Sequence, residues 1–140
     1  MNENVAVVIL AAGLGTRMKS KKAKVLHEVG GDTLLNHVIR AALQVAPPEK
    51  IVAVIGHQAE QVRQSVRVSG IGFAEQAEQK GTAHAVLCAR EAIRSQNGQL
   101  LILNGDGPLL RPATLKSLLD FQRDSFGGAV VTAEIGDATG

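Results

Sequence analysis

Apolar residues occur in short continuous runs along the chain, separated by longer stretches in which they recur every three or four positions. The strongest runs cover residues 5–9, 51–55 and 100–103. A weaker run covers residues 71–74, and a final run covers residues 129–134. Runs of this length that are rich in β-branched residues are typical of buried strands. The pattern therefore predicts five strands.

The intervening stretches carry helical signals. One helix is predicted to begin after Asp32 as N-cap and to end before Pro47. A second covers about residues 58–66, and a third begins at Thr82 as N-cap and runs to about Arg94. The last begins at Pro112, a residue favoured in the first helical turn, and runs to about Phe121.

Alternation of strands and helices predicts an α/β fold with a mostly parallel sheet, right-handed crossovers and helices on both faces. The 140 residues are expected to form one domain, residues 1–140. In such sheets ligands bind beyond the carboxyl ends of the strands. The loops that follow residues 9, 74 and 103 are therefore the candidate sites.

Charge is distributed unevenly along this chain, whose net charge is +2. The segment from Arg17 to Lys24 contains five Lys and Arg residues and no acidic residue. Such local positive charge favours a small anionic ligand over a nucleic-acid track. Aromatic residues make up 2% of the chain, which argues against a stacking platform for single-stranded nucleic acid.

The single cysteine, Cys88, cannot form an internal disulfide and is predicted to be a small core residue of a helix. Without a signal peptide or a long apolar span, the sequence predicts a cytoplasmic protein with no membrane partner. The four histidines, at positions 27, 37, 57 and 84, show no metal-ligand spacing, so a zinc site is not expected.

The first strand leads into a glycine turn at Gly13 and Gly15, followed by the basic segment. Backbone N–H groups at such a turn, next to fixed cations, suit a polyphosphate. Met18 stands where a Walker A loop and a dinucleotide fingerprint would each need a further glycine, so both are excluded. From these residues alone, a glycine-rich surface turn with a solvated basic run remains an alternative.

The full string from Leu10 to Met18, L-A-A-G-L-G-T-R-M, and the downstream K-V-L-H from Lys24 resemble the sugar nucleotidyltransferases. Within them, these strings look most like the uridylyltransferase domain of the bifunctional N-acetylglucosamine-1-phosphate uridylyltransferase/glucosamine-1-phosphate acetyltransferases. The resemblance implies a Rossmann-like nucleotidyltransferase fold. Ala23 stands where that family usually has proline, which predicts a looser loop before the lysine.

Two further segments match motifs of the same family. The segment from Gln76, Q-A-E-Q-K-G-T-A-H-A, is typical in composition of a polar loop with Thr82 as helix cap. The resemblance instead implies that Gln76 recognises the uracil edge and that Gly81 and Thr82 shape the base and ribose pocket. Asp106, directly after a buried strand, either caps a turn or is a Mg²⁺ ligand, and the resemblance favours the metal.

The resemblance implies transfer of a uridylyl group from UTP to N-acetylglucosamine 1-phosphate, with Mg²⁺ held by Asp106. Arg17 and Lys24 would act catalytically by stabilising charge on the triphosphate. The nucleotide would be bound by these residues: Leu10, Ala11, Ala12, Gly13, Gly15, Lys24, Gln76, Gly81, Thr82, Asn104, Gly105 and Asp106.

Two other interpretations stay open: another nucleotidyltransferase that differs in base or acceptor, and a non-catalytic nucleotide-binding module. The chain stops where that family continues with tyrosine-glycine-arginine, so we expect the N-terminal part of a larger enzyme, incomplete at its C-terminus. An unpaired sheet edge would favour association into homo-oligomers. We expect nucleotide binding with weak or absent turnover.

Overall fold

The computed structural model describes residues 4–93, 98–125, 127–134 and 136. Its strands are β1 (Val5–Leu10), β2 (Glu28–Val29), β3 (Asp32–Thr33), β4 (Ile51–Ile55), β5 (Gly72–Glu75) and β6 (Gln99–Asn104). Its α-helices are α1 (Leu34–Ala42), α2 (Ala59–Ser65), α3 (Thr82–Cys88) and α4 (Pro112–Arg123). None of the helices in these residues is long and apolar enough to cross a membrane.

The main sheet has the order β5-β4-β1-β6, and all its strands are parallel. Strand β1 is central: Val7 lies opposite Ile51 of β4 on one side and Leu101 of β6 on the other. The carboxyl ends of the four strands therefore meet at one edge of the sheet.

Helices cover both faces of the sheet, as a parallel sheet requires. On one face Val5, Val7 and Ile9 of β1 belong to a core that includes residues of α1, α2 and α4. On the other face Val8 and Val54 pack in a smaller core with Ala85 of α3. The predicted α/β fold with helices on both faces is confirmed.

Most predicted elements are present, but several details were wrong. Residues 129–134 do not form a strand. The N-cap of α1 is Thr33, whose hydroxyl accepts the Asn36 N–H, while Asp32 lies one residue earlier in β3. The N-cap of α3 is Gly81, without a side-chain cap. Helix α3 ends at residue 88, and the predicted end at Arg94 lies outside the described residues.

The sequence pattern missed the antiparallel hairpin formed by β2 and β3. Its two-residue turn is Gly30-Gly31, and both glycines have positive φ. A turn of this backbone shape suits the twist of a hairpin, and glycine adopts it without strain. Two-residue strands are too short to produce a period-two pattern, which explains the omission.

Strand β6 lies at an edge of the main sheet. Its side chains alternate, so Leu101 and Leu103 are buried, while Leu100 and Ile102 on the opposite face are 46% and 45% exposed. An apolar groove of about 620 Å³ is lined by Ile102 and Leu103 of this strand and also by Val130 and Val131. Association of copies through an unpaired edge stays a prediction.

Asp32 is the centre of a buried polar cluster between β3 and the ends of α1 and α2. Its carboxylate accepts hydrogen bonds from the Asn36 Nδ2 and the Thr33 N–H, both at 2.8 Å. Arg40 Nη2 lies 2.8 Å and Arg67 Nε 3.7 Å from its oxygens. Burial by itself would raise the pKa of Asp32, but these hydrogen bonds and the two arginines together hold that pKa below the ordinary aspartate value.

Asp32→Asn is expected to lower the free energy of unfolding by about 2 kcal/mol at neutral pH, because it removes a buried, charged acceptor. Because the pKa of Asp32 is lower in the folded than in the unfolded state, its ionised carboxylate stabilises the protein at pH values above the unfolded pKa of about 4. This stabilisation is lost as the pH falls through the folded-state pKa. The wild-type and variant stabilities should therefore converge in acid. Urea unfolding over that pH range measures the difference, with exposed Asp120→Asn as control. A difference that stays constant with pH would contradict this account.

Candidate functional site

Three loops converge at the carboxyl edge of the sheet, after β1, β5 and β6. They enclose a cleft of about 270 Å³, lined by Leu10, Ala12, Gly13, Lys24, Val25, Gln76, Gln79, Gly81, Thr82, Ala85, Asn104 and Asp106. Most residues predicted from the sequence to bind nucleotide line this cleft. Because parallel strands end together, segments far apart in sequence meet here.

The remaining predicted residues are not among those that line the cleft. Ala11 is buried, and its N–H donates to the Val54 carbonyl in continuation of the sheet. The N–H of Gly105 donates to the Leu10 carbonyl at 2.9 Å. Gly15 and Arg17 belong to the exposed turn after β1, where Gly15 has φ +62°. The proposed catalytic role of Arg17 stays a prediction.

Lys24 is held at the cleft by its neighbours. It begins a 3-10 turn whose next two residues, Val25 and Leu26, are buried in the core. A Cβ at Gly15 would lie 2.8 Å from the Lys24 Cβ, so glycine is needed for the close approach of the two segments. This contact links the glycine turn to the end of the basic segment.

Lys24 Nζ lies 2.5 Å from Asp106 Oδ2, and the two side chains are 44% and 33% exposed. The pair joins the loop after β1 to the loop after β6. It places a cation and a carboxylate in one cleft, each partly open to solvent. A triphosphate could contact the ammonium group and a divalent cation the carboxylate, since phosphate and hard cations prefer these partners.

The segment before Lys24 is fixed by a side chain from the start of α2. Gln58 Oε1 accepts the Ala23 N–H at 2.6 Å, and Gln58 Nε2 donates to the Lys21 carbonyl at 2.9 Å. Ala23 is fully buried. A proline at this position could not donate this hydrogen bond. The expected looseness of the loop is therefore countered by two long-range hydrogen bonds.

Gln58→Asn is expected to destabilise the protein by about 1–2 kcal/mol, because the shorter side chain leaves the buried Ala23 N–H without its acceptor. Asparagine tolerates the left-handed backbone of Gln58, which has φ +54°. Hydrogen exchange at Ala23 and urea unfolding measure the effect. In an Ala23→Pro background the same substitution should cost much less, because no N–H remains to be satisfied. Equal costs in both backgrounds would contradict the role given to Gln58.

The other side of the cleft carries two amide side chains. Gln76 is 4% exposed and follows β5, and its backbone N–H donates to the Ile55 carbonyl. Gln79 was not predicted as a site residue, yet it lines the cleft and its Nε2 donates to the Ala12 carbonyl. The motif that begins at Gln76 also contains Gln79, and this was the signal that could have found it.

Solved structures with the same fold include a nucleotidyl transferase from Methanothermobacter thermautotrophicus, with a TM-score of 0.67, 21% identity, and coverage of 85% of this chain and 58% of that one. The chain thus has the same fold as that protein. Residues 7–138 match the MobA-like NTP transferase domain family, and the chain belongs to that family. The resemblance to nucleotidyltransferases inferred from the motifs is confirmed.

Two further proteins of known structure are similar. Rv0371c from Mycobacterium tuberculosis H37Rv has a TM-score of 0.73 at 23% identity, covering 87% of this chain and 62% of that one. A manganese complex of the same protein has a TM-score of 0.69 at 22% identity, with 87% and 61% coverage. HddC from Yersinia pseudotuberculosis, complexed with GMP-PN, has a TM-score of 0.64 at 26% identity, with 82% and 54% coverage.

Curated relatives are more similar in sequence. The bifunctional protein GlmU of Solibacter usitatus is 61% identical over 119 residues, which are 85% of this chain and 26% of that protein. GlmU of Koribacter versatilis is 47% identical over 140 residues, 99% of this chain and 30% of that protein. The chain thus spans between a quarter and a third of the length of these relatives.

Proposed function

We propose that this chain provides the nucleotide-binding part of a transferase that moves a uridylyl group from UTP to N-acetylglucosamine 1-phosphate. The observation that carries the proposal is the meeting of Lys24, Asp106 and Gln76 in one cleft. These side chains offer a cation for phosphate, a carboxylate for a metal and an amide for a base. The similarity to GlmU proteins supports the choice of substrates.

In the proposed reaction a phosphate oxygen of the sugar phosphate bonds to the α-phosphorus of UTP. The bond from that phosphorus to the oxygen bridging to the β-phosphate breaks, and pyrophosphate leaves with the electron pair. The chain forms no covalent bond to either substrate, so its contribution is positioning and charge stabilisation. Lys24 would neutralise phosphate oxygens from within the cleft, and Arg17 would add charge from the neighbouring turn.

The nucleotide would lie along the loops of the cleft. The turn from Leu10 to Gly13 would contact it through backbone groups. A Cβ placed on Gly13 would have no atom of the described residues within 4 Å, so a ligand can approach the backbone there. Gln76, Gly81 and Thr82 would surround the base and ribose. Asn104 lies at the end of β6, two residues before Asp106, and would contribute to binding the phosphates.

Asp106 fits a divalent cation that is shared with substrate. Among the described residues no group of three or more His, Cys, Asp and Glu side chains could hold a metal by itself. Mg²⁺ is commonly held by one or two carboxylates together with substrate phosphates, and the partly exposed carboxylate of Asp106 matches that arrangement. When bound, Mg²⁺ would supply positive charge against the triphosphate.

Calorimetric titration with UTP, CTP, GTP and ATP, with and without Mg²⁺, tests the proposal. We expect UTP to bind best, and Asp106→Asn to weaken the Mg²⁺-dependent binding by at least about 10-fold through loss of the metal ligand. Asp120→Asn, at an exposed position of α4, is the matched control and should leave binding unchanged. Equal binding of all four nucleotides without Mg²⁺ dependence, or no binding at all, would contradict the proposed function.

A further inference from the structure

The amide of Gln76 is held in one orientation by two acceptors. Its Nε2 lies 3.1 Å from the Gly81 carbonyl oxygen and 3.0 Å from His84 Nδ1. A backbone carbonyl can only accept a hydrogen bond, so the amide atom that faces Gly81 must be the NH₂ group. If the amide were rotated by half a turn, Gln76 Oε1 would face the Gly81 carbonyl oxygen, and two acceptors cannot form a hydrogen bond.

The same contacts define the state of the His84 ring. Both hydrogens of the Gln76 NH₂ group are used, one by Gly81 and the other by His84. His84 Nδ1 must therefore be an acceptor, and in a neutral imidazole the proton then lies on Nε2. That nitrogen lies 3.8 Å from the Cys88 Sγ, one helical turn further along α3.

Only the amide oxygen of Gln76 then remains for a ligand. Among the described residues this Oε1 has no hydrogen-bond partner, and Gln76 lines the cleft. An oxygen can only accept. The pairing edge of uracil carries one donor, N3–H, between two carbonyls. Cytosine has an unprotonated acceptor nitrogen at position 3, and its donor is the neighbouring 4-amino group. An amide oxygen fixed opposite position 3 of the base therefore favours uracil, whereas an amide free to rotate could serve either base.

We propose that His84 is a positioning residue for base selectivity, which fixes the Gln76 amide so that an acceptor faces the base. This inference rests on the proposed function, because it concerns the base of the nucleotide in that cleft. His84 does not itself line the cleft. It acts through Gln76, and the sequence places it in the G-T-A-H-A string only two residues after Thr82.

The test compares UTP with CTP as the ratio of their dissociation constants. The triphosphate is common to both nucleotides, so its contribution cancels in the ratio. We expect the wild-type chain to prefer UTP. His84→Leu should lower this preference about 10-fold, with CTP binding nearly unchanged.

His84→Asn is the matched variant, because the asparagine oxygen can occupy the position of Nδ1 and accept from Gln76. It should keep the preference for UTP. Nitrogen NMR of the unliganded chain should show His84 with its proton on Nε2. A UTP preference unchanged in His84→Leu, a UTP preference lost in His84→Asn, or a proton on Nδ1 would overturn the inference alone. Failure of the wild-type chain to bind UTP would overturn the proposed function, and this inference with it.

Discussion

Lys24→Met is expected to weaken Mg²⁺-dependent UTP binding by about 100-fold, since it removes a charge-assisted contact to phosphate. Methionine keeps the methylene stem that packs against Gly15, so the fold of the turn should be retained. In the unliganded protein the same change removes the partner of Asp106. Divalent cations should then bind Asp106 more tightly when no nucleotide is present. Calorimetry measures both affinities, which should change in opposite directions.

The control for this prediction is Lys22→Met. Lys22 belongs to the same basic segment but is exposed and does not line the cleft. Its loss removes the same net charge, so it reports the general electrostatic attraction of the segment for a polyanion. We expect a change of no more than about 3-fold, which would diminish at high salt. Equal losses for Lys22→Met and Lys24→Met would show that Lys24 has no specific contact.

Gly105→Ala is expected to destabilise the fold by about 3 kcal/mol. A Cβ at Gly105 would lie 2.8 Å from the Leu10 carbonyl oxygen and 3.2 Å from Val25 Cγ1. The first of these atoms is backbone of the central strand and is already bonded to the Gly105 N–H. The Leu10 carbonyl oxygen can move away from the new Cβ only if β1 and β6 separate at the cleft. Urea unfolding measures the loss of stability, and the cleft residues should lose hydrogen-exchange protection.

Gly107→Ala, two residues later in the same loop, is the matched control. A Cβ there would meet only the Asn104 carbonyl oxygen among the described residues, at 3.8 Å, which is an ordinary contact. Replacing glycine by alanine also reduces the freedom of the unfolded chain. The control should therefore be neutral or slightly stabilising. If both variants lose the same stability, the cost lies in the loop conformation and not in the approach of Gly105 to β1.

The fold could be predicted from the sequence where burial alone determines structure. Strands β1 and β4 are buried on both faces, so they appear as continuous apolar runs. The predicted strand over residues 129–134 has a similar composition but forms no strand pairing. A run rich in β-branched residues becomes a strand only when a neighbouring strand pairs with it, and the sequence pattern does not show which runs have such a neighbour.

The cleft could be predicted for a related reason. Its loops follow strands that the apolar runs identify, and parallel topology brings those strand ends together. What the pattern could not give is the set of contacts between distant side chains and backbone. The hydrogen bond from Ala23 to Gln58 and the one from Gln79 to Ala12 join segments that no local pattern relates. The orientation of the Gln76 amide likewise depends on a carbonyl and a ring that only the fold brings near it.

The central place of β1 has a consequence for the order in which the protein assembles. This strand is synthesised before both of its neighbours, since Val7 pairs with Ile51 and Leu101, which are made much later. One side of β1 can pair once β4 has been translated, but the other side stays unpaired until β6 has been made. Pairing between segments so far apart in sequence is slow. The cleft needs the ends of β1, β5 and β6 together. Nucleotide binding during synthesis or refolding should therefore report the last stage of sheet formation, after most helical structure is present.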